Sequence, residues 1–132
     1  MMQPLHLLFT ALVVWPFLGF GLSLMIPERF EGLLRRISFG TVLMHGCLIL
    51  LFAQSWLQSG ASMVNLPEMV LYRHADYVFL IDLFFDHITL VYLVVGSFIA
   101  ALVLFYSGRY MHRETGYKRF FNTLLFFYAG YV

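Results

Sequence analysis

The sequence has few of the charged residues from which soluble domains build their surfaces. Asp, Glu, Lys and Arg make up 11% of the 132 residues and hydrophobic residues make up 61%, whereas soluble domains contain about 25% charged and about 45–50% apolar residues. A chain of this length cannot bury so much apolar surface in one core. The excess must contact something other than water, and the hydrocarbon of a lipid bilayer is the simplest candidate.

The sequence also lacks several features that would indicate particular classes of function. The single cysteine, Cys47, excludes an internal disulfide framework, and the net charge of +1 gives no sign of a nucleic-acid partner. The five histidines are scattered, so we predict no metal site. The sequence contains no glycine-rich phosphate loop, Walker pattern or nucleophile elbow, and we therefore expect no catalytic residue and no cofactor in this chain.

Long apolar runs predict an all-α integral membrane fold. Residues 4–26, 37–56 and 87–106 are each about long enough to cross a bilayer as a helix. Residues 120–132 begin a fourth run that reaches about two-thirds of that length. We expect three full transmembrane helices and the start of a fourth, in the N-terminal portion of a longer protein. Trp56, at the end of the second run, is predicted to be an interfacial aromatic anchor.

The first run contains Pro16. Proline has no backbone N–H, so it should kink the helix, an arrangement that membranes tolerate where neighbouring groups satisfy the freed carbonyl. A secretory signal peptide is the alternative to a span. No Lys or Arg precedes Arg29, however, and the run is longer than the apolar region of a signal peptide, so a span is the preferred interpretation.

The segment between the second and third runs has a different character. β-formers over residues 69–85 predict a β-hairpin outside the membrane or at its surface, with a turn at residues 73–76. Asp86 directly precedes the third run, where its carboxylate can cap the free N–H groups of a helix. Gly96 and Ala100 share one face of that helix at a spacing that allows another helix to approach closely.

Basic residues predict an orientation. Seven of the eight Lys and Arg residues lie in the connections after the first and third runs. They are Arg29, Arg35, Arg36, Arg109, Arg113, Lys118 and Arg119. Because cytoplasmic loops hold the excess of Lys and Arg, we expect both clusters in the cytoplasm and the N-terminus and hairpin on the opposite side.

His45 is the one ionisable residue near the middle of a predicted span. Such residues are costly in lipid and often mark ion paths or proton relays, which makes His45 a proton-path candidate. A neutral imidazole bonded to a neighbouring helix would give the same pattern. We favour this structural role, because a relay needs several titratable groups and the spans offer no partner carboxylate or lysine.

The most distinctive segment follows the third run. Its characteristic residues are Tyr110, Met111, Gly116, Tyr117, Arg119, Phe120 and Phe121. The segment closely resembles the junction between the third and fourth helices of the antiporter-like family that includes the L subunit of respiratory complex I and the large subunit of Mrp cation/proton antiporters. Thr115 stands where that family commonly has an acidic residue. Residues 84–90 resemble the start of the family's third helix, with His87 in place of the usual small residue.

The resemblance implies the N-terminal part of a proton/cation-translocating subunit in a bacterial inner membrane. Its partners would be the lipid bilayer and other subunits of a membrane complex. If the protein is of the complex I type, that complex is an NADH:quinone oxidoreductase. The family's proton path uses a Glu on the fifth helix and Lys and His residues on later, broken helices, and none of those positions lies within residues 1–132.

Two alternatives remain open at this point. His87, Thr115 and the aromatic run at 120–131 agree equally well with DabB-type subunits of bacterial inorganic-carbon (bicarbonate or CO2) uptake systems. In that branch a cation gradient is coupled to bicarbonate capture by a soluble, zinc-containing, carbonic-anhydrase-like partner. The absence of acid–base pairs within the spans favours the second alternative, a small membrane scaffold protein that transports nothing.

Overall fold

A computed structural model describes residues 2–65, 69–74 and 77–132 of the chain. Four helices and four short strands follow one another along these residues. In chain order they are α1 (Met2–Met25), α2 (Glu31–Gln58), β1 (Val64–Asn65), β2 (Met69–His74), β3 (Tyr77–Ile81), β4 (Phe84–Phe85), α3 (His87–Tyr110) and α4 (Tyr117–Tyr131). The predicted order of two helices, a β segment and a third helix is therefore present.

Three helices contain segments long and apolar enough to cross a membrane. These segments are Leu5–Met25, Glu31–Gln58 and His87–Tyr110. Helix α2 begins at Glu31 and not at the predicted Ile37, so Arg35 and Arg36 lie in its first turns and the prediction of a loop there was wrong. Arginine and glutamate are good helix formers, and an apolar run therefore marks the buried part of a helix better than its ends.

The predicted hairpin forms over a shorter range than 69–85. β2 and β3 pair antiparallel, with Val70 opposite Leu80 and His74 opposite Tyr77. Arg73 and His74 are strand residues, which corrects the predicted start of the turn, and residues 75–76 lie outside the described residues. The end of the predicted hairpin belongs to a separate two-stranded sheet, in which β4 pairs with β1.

This second sheet brings Phe85 against the helices. Phe85 is fully buried, and its ring lies 4.6 Å from that of Phe52 and 5.2 Å from that of Trp56. Trp56 is also fully buried and donates its indole N–H to the Ser62 carbonyl at 2.7 Å. The prediction that Trp56 is an interfacial anchor was therefore wrong, because β4 folds back over it.

The opposite end of the helices has its own apolar core. It is formed by Ile26, directly after α1, and by residues of α2, α3 and α4, namely Leu34, Val42, Leu104, Tyr117, Phe121, Leu125 and Tyr128. The hairpin and this core lie at opposite ends of the helices because α1, α2 and α3 alternate in direction along the chain.

Helix α3 is the least buried of the three long helices. It buries four of its residues, Leu93, Ser97, Leu104 and Gly108. Most of its other residues are exposed, as expected of a helix that meets lipid.

Candidate functional site

A proline creates the starting point of the site. Pro16 lies inside α1 and is fully buried. An α-helix bonds each N–H to the carbonyl four residues earlier, so the missing N–H of Pro16 leaves the Leu12 carbonyl without its backbone donor. In an apolar interior such a carbonyl requires another partner.

His45 of α2 supplies that partner. Its side chain is completely buried, and its Nε2 lies 2.9 Å from the Leu12 carbonyl oxygen. On the other side of the ring, Nδ1 lies 2.6 Å from the hydroxyl oxygen of Tyr128 on α4. That hydroxyl is in turn 2.7 Å from Oγ of Ser97 on α3. One buried hydrogen-bond chain therefore joins all four helices.

The chemistry of the groups fixes the direction of this chain. A carbonyl oxygen can only accept, so the Nε2–H of His45 donates to Leu12. In a neutral imidazole the other nitrogen is then an acceptor, and the Tyr128 hydroxyl donates to Nδ1. The single hydroxyl proton of Tyr128 is thereby used, so Ser97 donates to Tyr128. Every member of the chain is satisfied when His45 is neutral.

The same geometry limits what His45 can do with a proton. The chain ends at the Leu12 carbonyl, which has no proton to pass on and is not a base at ordinary pH. Within the described residues, no carboxylate or lysine is hydrogen-bonded to His45, Tyr128 or Ser97. Proton conduction requires both an entry and an exit. In this arrangement His45 connects helices and donates to the Leu12 carbonyl the hydrogen bond that Pro16 cannot donate.

Asp86 lies at the start of α3. Its carboxylate Oδ1 accepts from the Thr89 backbone N–H at 2.8 Å and from the Thr89 hydroxyl at 2.7 Å. The backbone N–H of Thr89 holds the pKa of Asp86 below its usual range, because a donated hydrogen bond stabilises the charged carboxylate. Asp86 is thus the N-cap of the helix that carries Ser97.

The characteristic segment after α3 forms a tight connection into α4. Gly116 precedes α4 with φ of 92°, in the left-handed region that glycine adopts without strain. Tyr117 and Phe121 follow one helical turn apart, and both are buried, with their rings stacked 4.7 Å apart. These three residues therefore place α4 against the core.

The other residues of this segment lie around that connection. Tyr110 is the last residue of α3 and is exposed, and Met111 bonds its N–H to the Ser107 carbonyl at 2.8 Å. Phe120 is partly buried and its ring lies 5.5 Å from that of Phe121. Arg119 is exposed beside a surface cavity. None of the seven characteristic residues of this segment belongs to the buried hydrogen-bond chain that contains His45.

Gly96 on α3 lies against the side chain of Tyr131 on α4. A Cβ atom at this position would overlap the ring of Tyr131. The Tyr131 hydroxyl donates to the Tyr92 carbonyl on α3, and the rings of Tyr92 and Tyr131 stack 4.1 Å apart. The Tyr131 ring thus packs directly against the backbone of α3, and the next residue, Ser97, bonds to Tyr128 on α4 at 2.7 Å.

The two basic clusters meet at one end of the helices. Lys118 donates to the Leu24 carbonyl at 3.1 Å. Glu31 accepts from the Arg113 backbone N–H at 3.4 Å and lies 3.2 Å from the His112 ring. These contacts join the end of α1 and the start of α2 to the connection between α3 and α4. The structure therefore places both clusters on the same side.

Sequence reasoning identified His45 but not its partners. The freed Leu12 carbonyl follows directly from the position of Pro16 in the sequence. Tyr128 and Ser97 carry no local signal, since a tyrosine or serine in an apolar helix is equally compatible with a lipid-facing position. Among the described residues no cluster of three metal-ligating side chains is present.

Comparison with known protein families yields a match to part of the chain. Among curated proteins, none matches the chain at a significant level. Residues 73–121, however, match the family model described as NADH-Ubiquinone oxidoreductase (complex I), chain 5 N-terminus. This segment includes Asp86, the whole of α3 and the connection into α4. Over this segment the match confirms the resemblance drawn from the sequence.

Proposed function

We propose that the chain is the N-terminal part of a proton/cation-translocating membrane subunit that works within a multisubunit complex of the complex I type. The match of residues 73–121 to the N-terminal region of complex I chain 5 carries this proposal. The three helices of membrane-spanning length support it, since a translocating subunit must cross the bilayer.

Within this part of the subunit, the buried hydrogen-bond chain holds the four helices together and does not conduct protons. The buried chain from Ser97 to Leu12 is fully satisfied with His45 neutral and ends at a carbonyl. A path for protons must therefore use groups outside this chain of hydrogen bonds. We accordingly interpret His45 as a positioning residue of the subunit.

The basic end defines the orientation that we propose. Since cytoplasmic ends of membrane helices hold the excess of Lys and Arg, the joined clusters face the cytoplasm. The N-terminus and the β2–β3 hairpin then lie on the outer side of a bacterial inner membrane. Cysteine labelling distinguishes the two faces. A cysteine in place of the exposed Tyr77 should react with an impermeant maleimide in intact cells, and one in place of the exposed Tyr110 should not.

Purification from native membranes tests the function. An affinity tag on the N-terminus of the protein at its own locus allows the complex to be isolated in a mild detergent and its subunits to be identified by mass spectrometry. Quinone-reductase subunits are expected to co-purify. A soluble carbonic-anhydrase-like zinc protein would instead assign the chain to an inorganic-carbon uptake system, and recovery without any larger subunit would leave the scaffold interpretation.

A transport assay completes the test. Inverted membrane vesicles from cells with and without the gene are energised with NADH, and acidification of the interior is followed with a pH-sensitive dye. We expect the deletion to lower the NADH-driven pH gradient and the gene on a plasmid to restore it. An unchanged gradient, with the protein absent from the vesicles, would contradict a complex I-type function.

A further inference from the structure

A groove at the basic end of the helices is lined by both arginines and apolar residues. It has a volume of about 460 Å³ and is formed by the start of α2 and the connection before α4. Its lining residues include Arg29, Arg36, Phe30 and Leu33. Phe30 and Leu33 remain about half exposed. A surface with these two characters side by side is suited to an amphipathic ligand.

The charges of the groove are unbalanced. Within the described part of the chain, no carboxylate lies within salt-bridge distance of Arg29 or Arg36. The groove contains one carboxylate, that of Glu31, which is already bonded to the Arg113 backbone N–H and lies 3.2 Å from His112. The guanidinium of Arg29 lies 4.8 Å from the centre of the Phe30 ring and has no anionic partner there. Both arginines that line the groove are thus without a carboxylate partner among the described residues.

The surface of α2 below the groove is apolar and has a notch at Gly40, where there is no side chain. Arg36, Gly40 and Met44 are spaced four residues apart and share one face of the helix. An added Cβ at Gly40 would meet no atom within 4 Å, so this face is open and is lowered at that point. Leu43 and Met44 beyond the notch are about half exposed.

We propose that this groove binds an anionic phospholipid, with the phosphate between Arg29 and Arg36 and one acyl chain lying over Gly40 toward Met44. Arginine binds phosphate with paired, charge-assisted hydrogen bonds, and basic pockets beside transmembrane helices select anionic head groups. The continuous apolar face below the arginines distinguishes a lipid from a free phosphate. The inference depends on membrane residence alone, and its failure would leave the proposed function untouched.

Native mass spectrometry of the detergent-solubilised complex tests this site. The complex is titrated with phosphatidylglycerol and, separately, with phosphatidylcholine of the same acyl chains. We expect phosphatidylglycerol to be retained preferentially. Arg29→Gln combined with Arg36→Gln should weaken its retention by about tenfold or more, since it removes both guanidinium groups that bind the phosphate.

A charge-matched control uses the same end of the molecule. Arg109→Gln combined with Arg119→Gln also removes two positive charges, from residues that do not line this groove. Retention should change by less than about twofold in this variant, as for charges outside direct contact with the ligand. Equal losses in the two double variants would show general electrostatic attraction and overturn the site.

A third variant tests the acyl chain without changing any charge. Gly40→Leu fills the notch on an exposed helix face, so the helix should fold as before. We expect weaker retention of phosphatidylglycerol, and we expect the soluble head group glycerophosphoglycerol not to displace the lipid. Full retention in Gly40→Leu, or displacement by the soluble head group, would show a phosphate site and overturn the lipid assignment.

Discussion

Pro16 and His45 form a matched pair on neighbouring helices. The proline leaves the Leu12 carbonyl of α1 without its backbone donor, and the imidazole N–H of His45 on α2 donates to that carbonyl at 2.9 Å. A break in one helix thus becomes an attachment point for another. The pair explains why both an interior proline and a buried histidine are tolerated in apolar helices.

A double-mutant cycle tests this pairing. Pro16→Ala restores an N–H that can bond the Leu12 carbonyl, so the loss of His45 should then matter less. We expect His45→Leu to lower the free energy of unfolding by about 2 kcal/mol in the natural sequence. In the Pro16→Ala background the loss should be smaller by about 1 kcal/mol. Denaturant unfolding in mixed micelles, followed by circular dichroism, measures the four variants.

The cycle has a matched control in the hairpin. His74 is exposed on β2, where its ring stacks on that of Tyr72. His74→Leu combined with Pro16→Ala should therefore be additive. Additivity in the His45 cycle as well would contradict the pairing.

The central position of Tyr128 in the hydrogen-bond chain predicts an order of effects at the end away from Leu12. Tyr128→Phe removes the donor to His45 and also the acceptor for Ser97, whereas Ser97→Ala removes a donor and leaves the bond between Tyr128 and His45 intact. We expect Tyr128→Phe to lower the free energy of unfolding by about 1 kcal/mol or more and Ser97→Ala by less.

Tyr110→Phe provides the control for the loss of a tyrosine hydroxyl, since Tyr110 is exposed at the end of α3. Its free energy of unfolding should be unchanged. If Ser97→Ala proved more costly than Tyr128→Phe, Tyr128 would not be the central member of the hydrogen-bond chain.

Much of the fold could be predicted from local properties of the sequence. Apolar runs place the three long helices, and Asp86 occupies the cap position that its place before the third run suggests. The ends of α2 could not be predicted in the same way, because Arg35 and Arg36 extend a helix beyond its apolar part. The local sequence thus predicts the type of a secondary-structure element more reliably than the residues at which it begins and ends.

The partners of His45 could not be predicted for a different reason. In a soluble helix, apolar residues mark the inner face, but a helix in lipid is apolar on every side. The run that forms α3 therefore contains no signal that turns Ser97 inward. The rotation of α3 and α4 depends on their packing at Gly96, where Tyr131 lies against the helix backbone. Tyr128 is brought to His45 by that packing.

Gly96→Ala should disturb this packing. The added methyl group would overlap the ring of Tyr131, so α3 and α4 must separate or the ring must move. We expect a loss of about 1–3 kcal/mol in the free energy of unfolding, as for other overpacked contacts. Gly46→Ala is the control, because a Cβ there meets no atom within 4 Å. It should be neutral or stabilising, given the helix propensity of alanine. Equal effects at the two glycines would contradict the close approach at Gly96.

Asp86 predicts a pH-dependent contribution to stability. Its pKa is lowered in the folded protein, chiefly by the Thr89 backbone N–H. A carboxylate of this kind contributes stability above its unfolded pKa of about 4 and loses it as the pH falls through the lower, folded value. Asp86→Ala should therefore lower the melting temperature at pH 7.

The difference between Asp86→Ala and the natural protein should narrow when the melting temperature is measured at successively lower pH below about 4. Asp82→Ala is the control, because Asp82 lies between β3 and β4 and caps no helix. A difference that stayed constant down to the lowest pH would mean that the charge of Asp86 does not stabilise α3.

The role of His45 in transport is tested with a side chain that cannot titrate. His45→Gln keeps an amide donor for the Leu12 carbonyl and an oxygen acceptor for the Tyr128 hydroxyl, whereas His45→Leu keeps neither. Because the hydrogen-bond chain ends at a carbonyl, we expect the Gln variant to retain most of the gradient-driven activity of the full-length protein in vesicles. The Leu variant should lose activity only in proportion to lost folded protein, measured by the amount recovered in the intact complex. Abolished transport in a fully assembled His45→Gln complex would show that His45 carries protons, and the positioning role would have to be abandoned.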